Sequence, residues 1–200
     1  MAKDPLAELV DEYRGRFRSS DQLDFYAGLD SLETAIDYAA LAKRPDGKRH
    51  SHQTRLKREH LLAVKHALTE NRGQLRQARS FADIIRLVRA CAVPGFGELA
   101  VYDAALRLGA YLNRHPDYVY LHAGTRKGAA ALGLKVDREY VALDELPPAL
   151  RKLRPSEAED FLCIYKDRLK HPEIYAVETV TGCHKPDPPT ERMPTSSCSS

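Results

Sequence analysis

An all-α globule is the fold class this sequence predicts, and three observations point to it. Apolar residues recur at three- and four-residue spacing in segment after segment. Short turns rich in Gly, Pro, Asn and Ser separate those segments. Serines placed to cap helices, Ser31, Ser80 and Ser156, stand at the head of three of them. The expectation is a single compact multi-helix domain over residues 1–182, with little or no sheet, followed by a Pro-, Thr- and Ser-rich disordered tail over 183–200.

Leu6, Leu9, Val10, Tyr13 and Phe17 share one face of a first helix, from Pro5 to about Arg18. Ser19-Ser20-Asp21 ends it and offers a cap to a short segment, Gln22 to Ala27. A longer helix is expected from Ser31 to Ala42, with Ser31 as N-cap and Leu32, Ala35, Ile36, Ala39 and Ala40 inward. Lys43 to His52 is a turn-rich basic loop. Gln53 to Thr69 follows as a helix built on Leu56, Leu61, Leu62, Val64 and Leu68, and Asn71-Arg72-Gly73 stops it. Ser80 caps Phe81 to Ala92, which buries Phe81, Ile84, Ile85, Leu87 and Val88. After Val93-Pro94-Gly95-Phe96-Gly97 the next helix runs from Glu98 to about Leu112, where Asn113-Arg114-His115-Pro116 breaks it. Asp117 to Gly133 reads two ways: Tyr118-Val119-Tyr120-Leu121 has strand propensity, or it opens a helix running to Leu132. Leu146-Pro147-Pro148 is a turn, and Ser156 caps a helix from Glu157 to Leu169 with Phe161, Leu162, Ile164 and Tyr165 inward.

Composition narrows the function classes. Hydrophobic residues make up 43% of the chain, enough for a real core. No run of eighteen apolar residues occurs, and the N-terminus lacks the apolar region of a secretory signal, so a cytoplasmic protein is expected. Cys91, Cys163, Cys183 and Cys198 form no metal-binding or disulfide pattern; Cys91 and Cys163 read as small core residues. The net charge of +3 conceals an asymmetry. Residues 1–42 carry four basic and nine acidic side chains, whereas residues 43–89 carry thirteen basic and four acidic ones. That middle block suits a polyanionic partner, or else forms a solvated face and a basic loop.

The motif with chemical content is the pair of apolar helices joined by Pro94-Gly95-Phe96-Gly97. The two glycines permit a sharp turn and close approach of a ligand to the backbone. Glu98 and Leu99 begin the second helix, whose free N–H groups and positive dipole end suit a phosphate. Phe96 plugs the turn into the core. A plain helix–helix turn explains the same residues.

Val93-Pro94-Gly95-Phe96-Gly97-Glu98-Leu99-Ala100 and the helix after it resemble the helix-hairpin-helix DNA glycosylase superfamily, which includes endonuclease III-like enzymes. The resemblance covers about residues 80–170, and only the hairpin over about 81–112 is specific. It implies DNA as partner, phosphate contacts at the hairpin, and a catalytic Asp in Pro116-Asp117-Tyr118-Val119, twenty positions after Gly97. It further implies hydrolysis of the N-glycosidic bond of a modified or damaged base extruded from the duplex. Where bifunctional members carry the Schiff-base Lys this chain has Leu99, so lyase chemistry is not expected. The cysteines of an iron–sulfur cluster are missing as well, and no cofactor or metal is expected.

On that reading Asp117 stabilises positive charge on the sugar, Tyr118 and Tyr120 stack on a base, and His122 donates to one. Asp117 reads equally as a turn residue after His115-Pro116. Arg126 and Lys127, beside Gly124 and Gly128, are expected as a second anion site, or the glycines serve close helix packing. His50, His52 and His60 read as a solvated loop, Asp103 and Arg107 as a surface pair four apart, and Glu157, Glu159 and Asp160 as acids offsetting a helix dipole. Three functions fit: a monofunctional glycosylase-like enzyme, a non-catalytic DNA-binding module in a repair or defence assembly, and a helical protein whose basic block binds a protein partner.

Overall fold

A computed structural model describes residues 4–16 and 19–170. The expectations for Phe17, for the side chains of Ser19-Ser20-Asp21 and for the tail with Cys183 and Cys198 lie outside the described residues. Among the described residues the chain is mainly helical: α1 (Pro5–Arg16), α2 (Ser19–Ala27), α3 (Leu32–Ala40), α4 (Arg58–Glu70), α5 (Arg72–Gln77), α6 (Phe81–Ala90), α7 (Glu98–Tyr111), α8 (Ala123–Ala131) and α9 (Pro155–Ile164). Two two-residue strands, β1 (Val119–Tyr120) and β2 (Tyr140–Val141), pair antiparallel, with Tyr120 opposite Tyr140. No helix among the described residues is long and apolar enough to cross a membrane.

Local chemistry explains most boundaries. Ser31 caps α3 by accepting from the Thr34 amide. Ser80 and Asp83 form a reciprocal capping box at α6, each side chain accepting the other residue's backbone N–H. The expected helix from Gln53 begins only at Arg58, because Ser51–Gln53 form a 3₁₀ turn that buries the Gln53 side chain. Asn71 ends α4, yet α5 starts again at Arg72. The last helix starts at Pro155, not after a Ser156 cap; proline suits a first turn whose N–H has no acceptor. The stretch from Asp117 takes both expected forms in turn, strand β1 and then helix α8.

Two hydrophobic clusters fill the interior. The first gathers α3 to α7 around Ile36, Leu61, Leu68, Phe81, Ile84 and Leu108. The second gathers α1, α8 and α9 around Leu9, Tyr13, Phe161, Leu162 and Tyr165. Strand β1 joins them by alternation: Tyr120 belongs to the first cluster, its neighbours Val119 and Leu121 to the second. This seam places the start of α8 beside α7.

Candidate nucleic-acid interface and its pocket

The turn between α6 and α7 is built as its residues require. The Phe96 amide donates to the Val93 carbonyl at 2.9 Å, closing a four-residue turn with Pro94 second and Gly95 third. Gly95 has φ +94°, the left-handed value that a type II turn demands there. A Cβ on Gly95 would lie 2.5 Å from Nδ1 of His60, so protein packing also requires that glycine. Phe96 is buried and anchors the turn, as expected.

Gly97 is different. It is the N-cap of α7 in extended backbone with φ −74°, and a Cβ there would meet nothing within 4 Å. Neither its conformation nor packing among the described residues asks for glycine at this place. It has no side chain to cap α7, so the first amides of the helix keep the donors that a helix leaves over. Pro94, Gly95, Gly97, Glu98 and Leu99 are all exposed, with Leu99 among the exposed large apolar side chains. Through His60 the turn adjoins the N-terminus of α4, where Arg55, Lys57 and Arg58 are exposed.

A cleft of about 320 Å³ opens from Glu98, the first residue of α7, toward His122, the N-cap of α8. Tyr102 and Tyr120 give it aromatic walls, their ring centroids 5.9 Å apart, and Arg89 and Glu139 lie at its edge as an ion pair. Tyr102 is buried, and its hydroxyl has no hydrogen-bond partner among the described residues. Burial, with the nearby charges of Glu159 and Asp103, holds that phenol well above the usual tyrosine range.

His122 is also buried, 4% exposed, and its Nε2 is hydrogen-bonded to Glu159 Oε1. Thr125 Oγ1 donates to the same carboxylate oxygen at 2.8 Å. Burial opposes the imidazolium, but the hydrogen bond and charge of Glu159, aided by Asp103 and Glu98, outweigh it, so His122 titrates above its ordinary value. Asp160 accepts from the Tyr13 hydroxyl at 3.0 Å. Burial, then repulsion from Glu159, pushes its carboxyl up to about 7.

The residues singled out in the sequence are thus only partly brought together. Glu98, Tyr120, His122 and Arg126 line the cleft. Asp117 is exposed and lies outside its lining. Tyr118 is 42% exposed and stacks on Tyr140 with centroids 4.5 Å apart. Arg126 does not offer a free anion site, because its guanidinium donates to the carbonyls of Leu121, Val136 and Arg138 and pins the loop before β2. Lys127 is exposed outside the cleft.

Other expectations are corrected outright. Arg107 is buried, 6% exposed, and bonds Gln53 Oε1 at 3.1 Å while facing Asp103 at 3.5 Å, so the pair is an interior one. His52 and Gln53 both reach Asp103 Oδ2 at 2.7 Å, and His50 is buried against the Tyr26 hydroxyl at 2.8 Å, so this is no solvated loop. Glu159 is a buried partner of His122, not a solvated dipole acid. Its place three before Leu162, on the apolar stripe of α9, was the sequence signal for that burial. Tyr102, between Val101 and the buried Ala104 and Ala105, carried a similar signal. No group of three or more His, Cys, Asp or Glu among the described residues could hold a metal ion.

Comparison with protein-family models, with curated proteins and with solved structures returned no match. The functional reading therefore rests on this chain's own residues.

Proposed function

We propose that α6, the Pro94–Gly97 turn and α7 form a helix-hairpin-helix element that binds a DNA backbone phosphate in the cytoplasm. The adjoining cleft then receives a base extruded from the duplex, and the protein is a monofunctional, glycosylase-like hydrolase of that base's N-glycosidic bond. The observation that carries this reading is Gly97: a glycine that no packing among the described residues requires, at an exposed helix start whose first residue, Glu98, also lines the cleft. A phosphate approaching the α7 amides supplies the missing reason for a residue without a side chain. Arg55, Lys57 and Arg58 supply cations on the neighbouring segment, and exposed Tyr118 and Tyr140 supply a stacking surface continuous with Tyr120.

The non-catalytic module remains the second reading, and one observation favours it. Asp117, the carboxylate that the resemblance puts beneath the sugar, lies outside the cleft. Incubation with duplexes bearing a deaminated, oxidised or alkylated base, followed by mass spectrometry of released base, separates the two. The enzyme reading expects free base from at least one duplex, with Asp117→Asn keeping DNA affinity. Tight binding with no base released from any duplex supports the module instead.

A further inference from the structure

We infer that His122 is the proton-transferring group of the cleft and that Glu159 is its positioning residue. The inference deepens the proposed reading of the cleft as the seat of base removal and rests on it. Three observations converge. Glu159 Oε1 holds Nε2 of His122, and Thr125 fixes the same oxygen, so ring orientation and the Nε2–H tautomer are set from behind. The other ring nitrogen, Nδ1, has no hydrogen-bond partner among the described residues, and His122 lines the cleft. Tyr102, also lining the cleft, presents a buried hydroxyl without a partner. Of these two groups the Tyr102 hydroxyl is the buried one without a partner among the described residues, while Nδ1 is the ring nitrogen of His122 that Glu159 leaves available for proton transfer.

A histidine whose far nitrogen is held by a carboxylate is the arrangement of an acid–base pair. Applied to base removal, the step balances as follows. The bond from C1′ of the sugar to the base nitrogen breaks, its electron pair leaving with the base. Nδ1–H of the imidazolium transfers its proton to that base. Water forms the new C1′–O bond and gives up a proton to the Glu98 carboxylate at the cleft's edge, from which it returns through solvent to Nδ1. The acid form of His122 is the active one, so base release falls as pH rises through its pKa. The groups facing it are Glu159 and Asp160 from α9 and Glu98, Tyr102 and Asp103 from α7, and it shares the cleft with Arg89, Tyr120, Arg126, Asp137, Arg138 and Glu139.

Two readouts on the full chain test this. The first is the titration of His122 followed by nitrogen-15 NMR, in the wild type and in Glu159→Gln, which keeps a hydrogen-bond acceptor but removes the charge. The expected result is Nε2 protonated in the neutral ring and a midpoint that drops in Glu159→Gln. An unmoved midpoint, or a neutral ring protonated at Nδ1, overturns the inference whether or not the protein acts on DNA. The second readout is the pH profile of single-turnover base release. His122→Gln is expected to slow release by roughly 100-fold without weakening DNA binding, and Glu159→Gln to move the falling limb to lower pH. Wild-type release in His122→Gln overturns the inference and leaves the DNA-binding reading standing. Failure of the wild type to release any base overturns the catalytic role of His122 together with the enzyme reading.

Discussion

His50 shows how a single buried residue sets a pH dependence. Its Nε2 meets the Tyr26 hydroxyl, which also donates to the Lys43 carbonyl at 2.6 Å. Burial, then the Arg107 charge, lowers its pKa to about 3, far below the 6.5 of a free histidine. A folded-state value below the unfolded one means that the unfolded chain takes up the proton first. Stability from neutral His50 is therefore complete above pH 6.5 and is lost as pH falls toward 3. Chemical denaturation between pH 7 and 4 should show a declining stability, and His50→Gln should flatten that decline. A decline of equal size in His50→Gln would assign it to other groups. None of this was legible in the sequence. Asp103 and Arg107 at four-residue spacing fit a surface pair as well as an interior one, and only the crossing of α2 and α3 over α7 buries them. Gly97 was legible as a glycine of interest, but the sequence could not tell that Gly95 is explained by His60 and Gly97 by no contact among the described residues.

At the scale of elements, the contact between α8 and α9 is the most demanding. A Cβ on Gly128 would run into the backbone carbonyl of Leu162, so Gly128→Val should push α9 outward. Overpacking of this kind costs about 1–3 kcal/mol, which a thermal melt would register as a marked drop in Tm. A melt within a degree of the wild type would show that the two helices are not in close contact. On the same helix Asp160 has its carboxyl raised to about 7, above its free value of 3.8. A raised folded-state pKa stabilises the fold only below the unfolded value, and the benefit is gone once pH has risen through the folded one. Asp160→Asn, still able to accept from Tyr13, should thus raise Tm at pH 8 and change little at pH 4. The opposite order would place the ionised carboxylate in a favourable site. Close helix packing at Gly124 and Gly128 was one of two readings open in the sequence, and α3, α6 and α7 were legible because apolar spacing and caps agree there. The start of α4 was not, since the spacing of Leu56 continues a helical pattern that the burial of Gln53 against Asp103 interrupts.

For the whole molecule, the charge asymmetry along the sequence is partly cancelled in space. Asp37 of α3 binds both Lys43 and Lys65, and Glu33 faces Arg72 and Arg76, so the acidic first segment pairs with four cations of the basic block. Among the cations that stay exposed and outside such cross-segment pairs, Arg55, Lys57 and Arg58 form a cluster close to the glycine turn. A linear count of charge could not separate these cations from the paired ones, because pairing across elements is a property of the fold. DNA binding of the kind proposed requires that turn to hold a phosphodiester. The most direct measurement is fluorescence anisotropy of a plain DNA duplex at several salt concentrations, for the wild type and for Gly97→Glu. Three cations neutralising phosphates predict a slope of log affinity against log salt of about −3 for the wild type. Gly97→Glu fits the open space, so its Tm should be unchanged, while its like charge against the phosphate should weaken binding at least tenfold at low salt. Equal affinity for the two proteins, or binding indifferent to salt, would contradict the account.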